Sequence, residues 1–303
     1  MTDLVRRLDG LPLALATTGA YFKQASVSVA TYLHLYEASW VQIHQDDLGL
    51  ETYEDRTIYS TWRVSLDRVQ QENELSAKLL GLWCFFTNQD LWYELLSNGH
   101  VEQLTWLRNL TAKLPVFIKA MRLLCYYGLA ESDASLTGNT ESGGYSIHAC
   151  VHSWTIHILN EPWDDTLAKF AVNAVGQHVP GQVAKNPWTT QRRLLQHAER
   201  CLQYLPELDS TQPEIGESLH NIADLFSDQN KMREAEEMYL QALQGKEEAW
   251  GLKHTSTLDT VNNLAVLYSD QGKMQEAEKM YLRVLRGKEE AWGPKHTSTL
   301  DTV

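Results

Sequence analysis

The stretch Asn221–Val261, NIADLFSDQNKMREAEEMYLQALQGKEEAWGLKHTSTLDTV, is followed by Asn263–Val303, NLAVLYSDQGKMQEAEKMYLRVLRGKEEAWGPKHTSTLDTV, and the two align at an offset of 42 residues. Asn221 maps onto Asn263, Ala235 onto Ala277, Tyr239 onto Tyr281, Trp250 onto Trp292 and His254 onto His296. Self-similarity at such a period marks an array in which each unit buries its apolar face against the next. Within a unit the apolar positions keep a helical period: Leu264, Leu267 and Tyr268 share one face, and Ala277, Met280, Tyr281 and Leu285 another. Two helices per unit are therefore expected. Between them stand Gly272 in one copy and Asn230 in the other, the residue types that best tolerate left-handed backbone at a helix end. The small Ala235 and Ala277 permit close helix approach, and Tyr239 and Tyr281 fill the groove between successive pairs.

The whole chain has 303 residues, enough for roughly two domains. At 43% hydrophobic and 21% charged it has the composition of a folding chain. Its formal charge of -13 and the lack of a basic stripe argue against nucleic acid and anionic membrane as partners, because both demand clustered Lys and Arg. Cys84, Cys125, Cys150 and Cys201 are scattered without a CxxC pair, which predicts no disulfide framework and no zinc ribbon, and a reducing, cytoplasmic setting. Arg6 and Arg7 before the apolar Leu11–Ala16 imitate a secretory signal, but Asp3, Asp9 and an early Pro12 speak against one. No stretch reaches the roughly 18 apolar residues of a membrane span.

Residues 1–160 carry no repeat but three ordered segments. In LVRRLDGLPLALATTGAYF, residues 4–22, Gly10 breaks the chain and Pro12 suits the first turn of the helix that Leu13, Ala16 and Ala20 continue. In AKLLGLWCFFTNQDLWYELL, Leu79, Leu82, Trp83 and Phe86 form one apolar face, and Trp92, Leu95 and Leu96 follow a turn at Asn88–Asp90. YSIHACVHSW, residues 145–154, follows a Gly- and Ser-rich loop at Ser135–Gly144. Tyr126–Glu131 and Tyr145–His148 alternate as two short strands. Helices followed by such a hairpin predict a winged helix.

The repeats, with EAExxYxxxL and a trailing GxxHxxTL, resemble the tetratricopeptide repeat in its kinesin-light-chain-like form; Ser256 and Ser298 stand where that pattern has Pro. Together with the upstream segments the chain resembles the second half of an NB-ARC module, as in NOD-like receptors of the fungal type. The resemblance implies that Gly10–Ala14 is the GLPLA element, with Pro12 packed against adenine, and that Ile147, His148 and Ala149 stand for the MHD element, with His148 facing the β-phosphate of ADP. Ala149 replaces the family's Asp. Phosphate binding needs a GxxxxGK[ST] loop, and the sequence contains none. The chain is thus not expected to be an NTPase, nor an enzyme of any class. ADP or ATP is the ligand expected of a longer protein, with no cofactor for this chain alone.

His148, Cys150 and His152 invite a zinc reading, but further ligands at suitable spacing are lacking. Trp40, Trp62, Trp83, Trp92 and Trp106 have the spacing of core residues rather than of a ligand cage. Residues 161–190, with Pro162, Pro180 and Pro187 around a helix Thr166–Val179, read as a connector, and Gln191–Leu205 as a capping helix. The expected fold is mostly α: a helical subdomain over 1–55, a winged-helix-like subdomain over 56–160, a helical linker over 161–216 and an α-solenoid of repeats over 217–303, with the start of a third unit at the end. The expected function is protein interaction and regulation in a signalling receptor of the immunity or incompatibility type. The alternative is a tetratricopeptide scaffold or cargo adaptor that binds no nucleotide. A protein or peptide in the repeat groove is the expected partner, met by Asn221, Asn262, Asn263 and Tyr268, and self-association is a further expectation.

Overall fold

The structure, a computed structural model, describes residues 2–45, 53–97, 99, 104–133, 142–160, 163–181, 187–208 and 212–293. Most of the Ser135–Gly144 loop, Pro162, Ser298 and the start of the third unit lie outside the described residues, as does the side chain of Trp40. Two compact units emerge: Met1–Ser97 with Glu102–Asp164, and Asn98–Val101 with Asp165–Val303.

The first unit opens with α1 (Thr2–Arg7), α2 (Pro12–Ala25), α3 (Val29–Gln45) and α4 (Tyr53–Glu72). Gly10 has φ 66° between α1 and α2, and Pro12 occupies the first turn of α2, as its missing N–H permits. Leu4, Leu8, Ala14 and Tyr21 are buried, whereas Arg6, Arg7, Pro12 and Ala16 are exposed. The Tyr21 and Tyr32 rings meet edge-on at 5.2 Å, and the Tyr32 hydroxyl hydrogen-bonds Thr18 at 2.9 Å, which ties α3 to α2. The 55/56 boundary drawn from sequence falls within α4.

Next come α5 (Glu74–Leu82), a 3₁₀ turn at Trp83–Phe85, α6 (Tyr93–Ser97), α7 (Thr105–Thr111) and α8 (Leu114–Tyr126). Asn73 caps α5 by accepting from the Leu75 N–H. Trp62, Trp83 and Trp92 are wholly buried and Trp106 partly so, which agrees with the core reading. A two-stranded antiparallel hairpin, β1 (Glu131–Ser132) and β2 (Tyr145–Ser146), pairs Glu131 with Ser146 and Ser132 with Tyr145. The strand expected at Tyr126–Glu131 is corrected: Tyr126 ends α8, and Gly128 at φ 68° turns the chain, so only Glu131 of that span is extended. His148 is likewise no strand residue. It is the N-cap of α9 (Ala149–Trp154), which runs on into a π turn at Thr155–Leu159.

The second unit consists of α10 (Asp165–His178), α11 (Pro187–Tyr204), α12 (Pro213–Asp228), α13 (Met232–Trp250), α14 (Thr255–Asp270) and α15 (Met274–Trp292). Each repeat is a helical hairpin, α12/α13 then α14/α15, as the periodicity predicts. Asn230 (φ 58°) and Gly272 (φ 77°) make the left-handed turns inside them. The apolar stripe of α11 predicts that helix as the cap of the array, but α10 packs on α12 more extensively than α11 does. A Cβ on Gly176 would lie 2.5 Å from the Ser218 carbonyl oxygen. α11 contributes polar ties, Gln191 to Asp228 at 2.8 Å and Glu199 to Lys231 at 2.6 Å. Among the described residues no helix is long and apolar enough to cross a membrane.

Candidate functional site

The joint between the two repeats is polar where most of the array is apolar. His220 and Asp224 lie one turn apart on α12; Tyr239 and Lys246 lie about two turns apart on α13, and Thr260 and Asn263 about one turn apart on α14. The Thr260 hydroxyl donates to the Ser256 carbonyl at 3.1 Å, so its lone pairs are left to accept from the Lys246 ammonium and from His220 Nδ1, each at 3.0 Å. This order assigns the proton of neutral His220 to Nδ1 and leaves Nε2 to accept from the Asn263 amide at 3.5 Å. Asp224 in turn accepts from Asn263 at 3.0 Å and from the Tyr239 hydroxyl.

Lys246 is only 1% exposed, yet its ammonium lies 2.8 Å from the half-exposed Glu217, which also accepts from Ser256 at 2.9 Å. Burial alone would raise the Glu217 carboxyl, but the Lys246 contact outweighs it and holds the carboxyl below the usual range. Burial acts the other way on His220 and pushes its imidazole down. Asp224, Glu217 and Asp259 oppose that shift, and Lys246 adds to it. Burial, reinforced by the Asp224 charge, raises the Tyr239 hydroxyl. The site therefore carries a charged Lys–Glu pair beside a neutral imidazole. Its geometry joins three helices.

Three of the four residues expected to meet a partner are engaged within the second unit. Asn221 donates to the Gly176 carbonyl at 3.2 Å, Asn263 is part of the joint, and Tyr268 is 8% exposed with Lys273 at 5.1 Å over its ring and Glu236 beside its hydroxyl. Asn262, half-buried, holds in the second repeat the place His220 holds in the first. The joint itself is missing from the sequence reading. Its signal is that His220 and Asp224, one turn apart, face Asn262 and Val266 in the aligned unit, a paired departure on one helix face.

In the first unit Pro12 is exposed at the start of α2, and α2 packs on α4 and α8. His148 is exposed as the cap of α9, its Nδ1 accepting from the Cys150 N–H at 3.2 Å, and α9 packs on the 3₁₀ and π turns. The two residues thus sit on elements with different neighbours. His152 points elsewhere, to the Phe86 carbonyl at 2.8 Å. Among the described residues no group of His, Cys, Asp or Glu has the arrangement of a metal site. All four cysteines are free.

Comparison with known proteins agrees with the repeat. Residues 216–256 and 257–298 match the tetratricopeptide repeat family. The chain is 26% identical over 273 residues to a nucleotide-binding leucine-rich repeat (NLR)-like protein of Hyaloscypha variabilis, a match that covers 85% of this chain and 25% of the relative. The chain thus spans about a quarter of that relative's length. Among solved structures, BtubC (BKLC) from P. vanneervenii is 16% identical, with a TM-score of 0.37 over 80% of this chain and 78% of that one. Residues 216–298 are a pair of tetratricopeptide repeats, in a chain whose greater part is similar to a fungal NLR-like protein.

Proposed function

We propose that this chain is the recognition and regulatory part of a signalling NTPase receptor of the fungal NOD-like kind. The observation that carries the reading is the co-occurrence, in one chain, of tetratricopeptide hairpins and of similarity to an NLR-like protein over 85% of the length. Tetratricopeptide repeats are interaction modules, so the array holds a protein or peptide partner. The hairpin-bearing first unit transmits that event to a nucleotide-binding core, whose exchange of ADP for ATP shifts the population between closed and associated forms. The exposure of Pro12 and His148 is consistent with contact to a nucleotide held largely by that core.

A ligand that binds only the folded state stabilises it by about 2.7 kcal/mol at one hundred times its Kd. Melting of the protein, carried with the coding sequence that precedes Met1 in frame, is expected to shift upward by several degrees in millimolar ADP, and His148→Ala to reduce that shift. A melting curve unmoved by ADP removes the nucleotide switch and leaves the scaffold reading in its place.

A further inference from the structure

Between α2, α3 and α4, within the first unit, lies a cleft of about 340 Å³, a size within the range of small-molecule sites. Val27, Leu35, Ala38 and Val64 give it apolar walls, and the exposed Leu35 and Ala38 mark its open side. Its polar lining comes from Tyr21, Ser39, Asp67 and Arg68. Tyr21 is only 3% exposed and Ser39 only 7%, yet neither hydroxyl has a hydrogen-bond partner among the described residues. The rings packed on Tyr21 are better served: Tyr32 hydrogen-bonds Thr18 at 2.9 Å, and Tyr127 donates to Glu72 at 2.7 Å. Buried polar groups are nearly always paired, so two unpaired hydroxyls on one cleft point to something bound there.

The charges of the cleft are paired but not exhausted. Asp67 Oδ1 accepts from Arg63 at 3.0 Å, which leaves Oδ2 without a donor among the described residues. Burial raises the Asp67 carboxyl in spite of Arg63, so a second cation beside it would be favourable. Arg68 Nε lies 2.9 Å from Glu72, which steadies the guanidinium while 41% of the side chain stays exposed. The Tyr21 hydroxyl belongs to this same end: burial raises it, Arg68 opposes that, and Glu72 and Asp67 add to it. Arg63 cancels Asp67 and Arg68 cancels Glu72, so a ligand that carries both signs and no net charge is the one that fits. We propose that the cleft binds a free α-amino acid with a large apolar side chain. Its ammonium meets Asp67 Oδ2, its carboxylate meets Arg68, the Tyr21 and Ser39 hydroxyls complete its hydrogen bonds, and its side chain lies on Val27, Leu35 and Val64. This site is separate from the repeats and asks nothing of the receptor reading.

The test is isothermal titration of the intact chain with three probes: L-phenylalanine, phenethylamine, which lacks the carboxylate, and 3-phenylpropanoate, which lacks the ammonium. Saturable one-to-one binding of L-phenylalanine is expected, with each analogue weaker by about tenfold or more because one charged group of the cleft goes unmet. Tyr21→Phe removes a hydroxyl and keeps the ring packing, and is expected to weaken L-phenylalanine about fivefold, the worth of one hydrogen bond. Ala38→Trp, at an exposed position, fills the cleft and is expected to abolish binding while the melting temperature stays that of the parent chain. The proposal is overturned if millimolar L-phenylalanine does not bind, which would leave the two hydroxyls to water, or if either analogue matches it. It is also overturned if either variant binds as the parent does.

Discussion

At the scale of single residues, His220 makes the joint sensitive to acid. Burial lowers its folded pKa below the ordinary 6.5, so the unfolded chain takes up the proton first as pH falls. The stability that neutral His220 confers is therefore complete above 6.5 and declines below it, until pH reaches the depressed folded value. Protonation also places a donor at Nε2, where Asn263 points its own N–H, and adds positive charge near Lys246, which the Asp224 carboxylate 3.7 Å from Nε2 offsets only in part, since burial still holds the pKa down. His220→Asn installs what the aligned position 262 already carries, so it is a mild change to the fold. Denaturant unfolding at pH 7.5 and 5.5 is expected to show a loss in the parent chain of up to about 1.4 kcal/mol, the limit for one proton over one pH unit, that the variant lacks; equal losses in both would clear His220. The neighbouring pair behaves differently. Glu217→Ala leaves the Lys246 ammonium buried beside a carbonyl and a hydroxyl, and is expected to cost about 1–2 kcal/mol, discounted because Glu217 is half exposed. Lys246→Met keeps the aliphatic packing and is expected to cost less, the order being checked by the same unfolding experiment.

Between helices the decisive quantity is approach distance. On Gly176 a methyl would sit 2.5 Å from the Ser218 carbonyl oxygen and 2.6 Å from its Cα, and backbone cannot step aside as a side-chain tip can. Gly176→Ala is expected to destabilise the second unit by about 2 kcal/mol through overpacking of α10 on α12. Gly19→Ala, on an exposed turn of α2 with nothing within 4 Å, is expected to stabilise by about 0.5–1 kcal/mol because Ala restricts the unfolded chain. Calorimetry of the two variants checks the contrast, and a neutral Gly176→Ala would mean that α10 sits further from α12. The same distinction governs what was legible in the sequence. Elements fixed by local rules were plain: the hairpins of the array from their period, the start of α2 from Pro12, the turns from Asn230 and Gly272. The strand read at Tyr126 was misjudged because alternation over so few residues also fits the end of an amphipathic helix, and Phe117, Ala120, Met121 and Leu124 extend that stripe along α8. Polar contacts across helices, such as Asn221 to Gly176 and His220 to Thr260, join residues far apart in the chain, and local periodicity does not reveal them; for His220 the trace is its departure from the aligned repeat.

For the molecule as a whole, charge sets the class of partner. Thirteen net negative charges repel a polyanion, and counterion release favours binding only where several Lys or Arg can neutralise phosphates together. Several of the cations placed by the structure are held in ion pairs: Lys78 by Glu74, Arg63 by Asp67, Lys231 by Glu199, Lys246 by Glu217, Lys273 by Glu236 and Arg283 by Glu247. Each such pair would have to be broken to offer its cation to a phosphate. Around α8, beside the hairpin, the sequence supplies only Lys113, Lys119 and Arg122. Duplex DNA is therefore expected to migrate unchanged in a native gel with micromolar chain, at low salt as at physiological salt. A retarded band that fades as salt rises would reveal a basic face and favour a nucleic-acid partner over the protein partner proposed for the array.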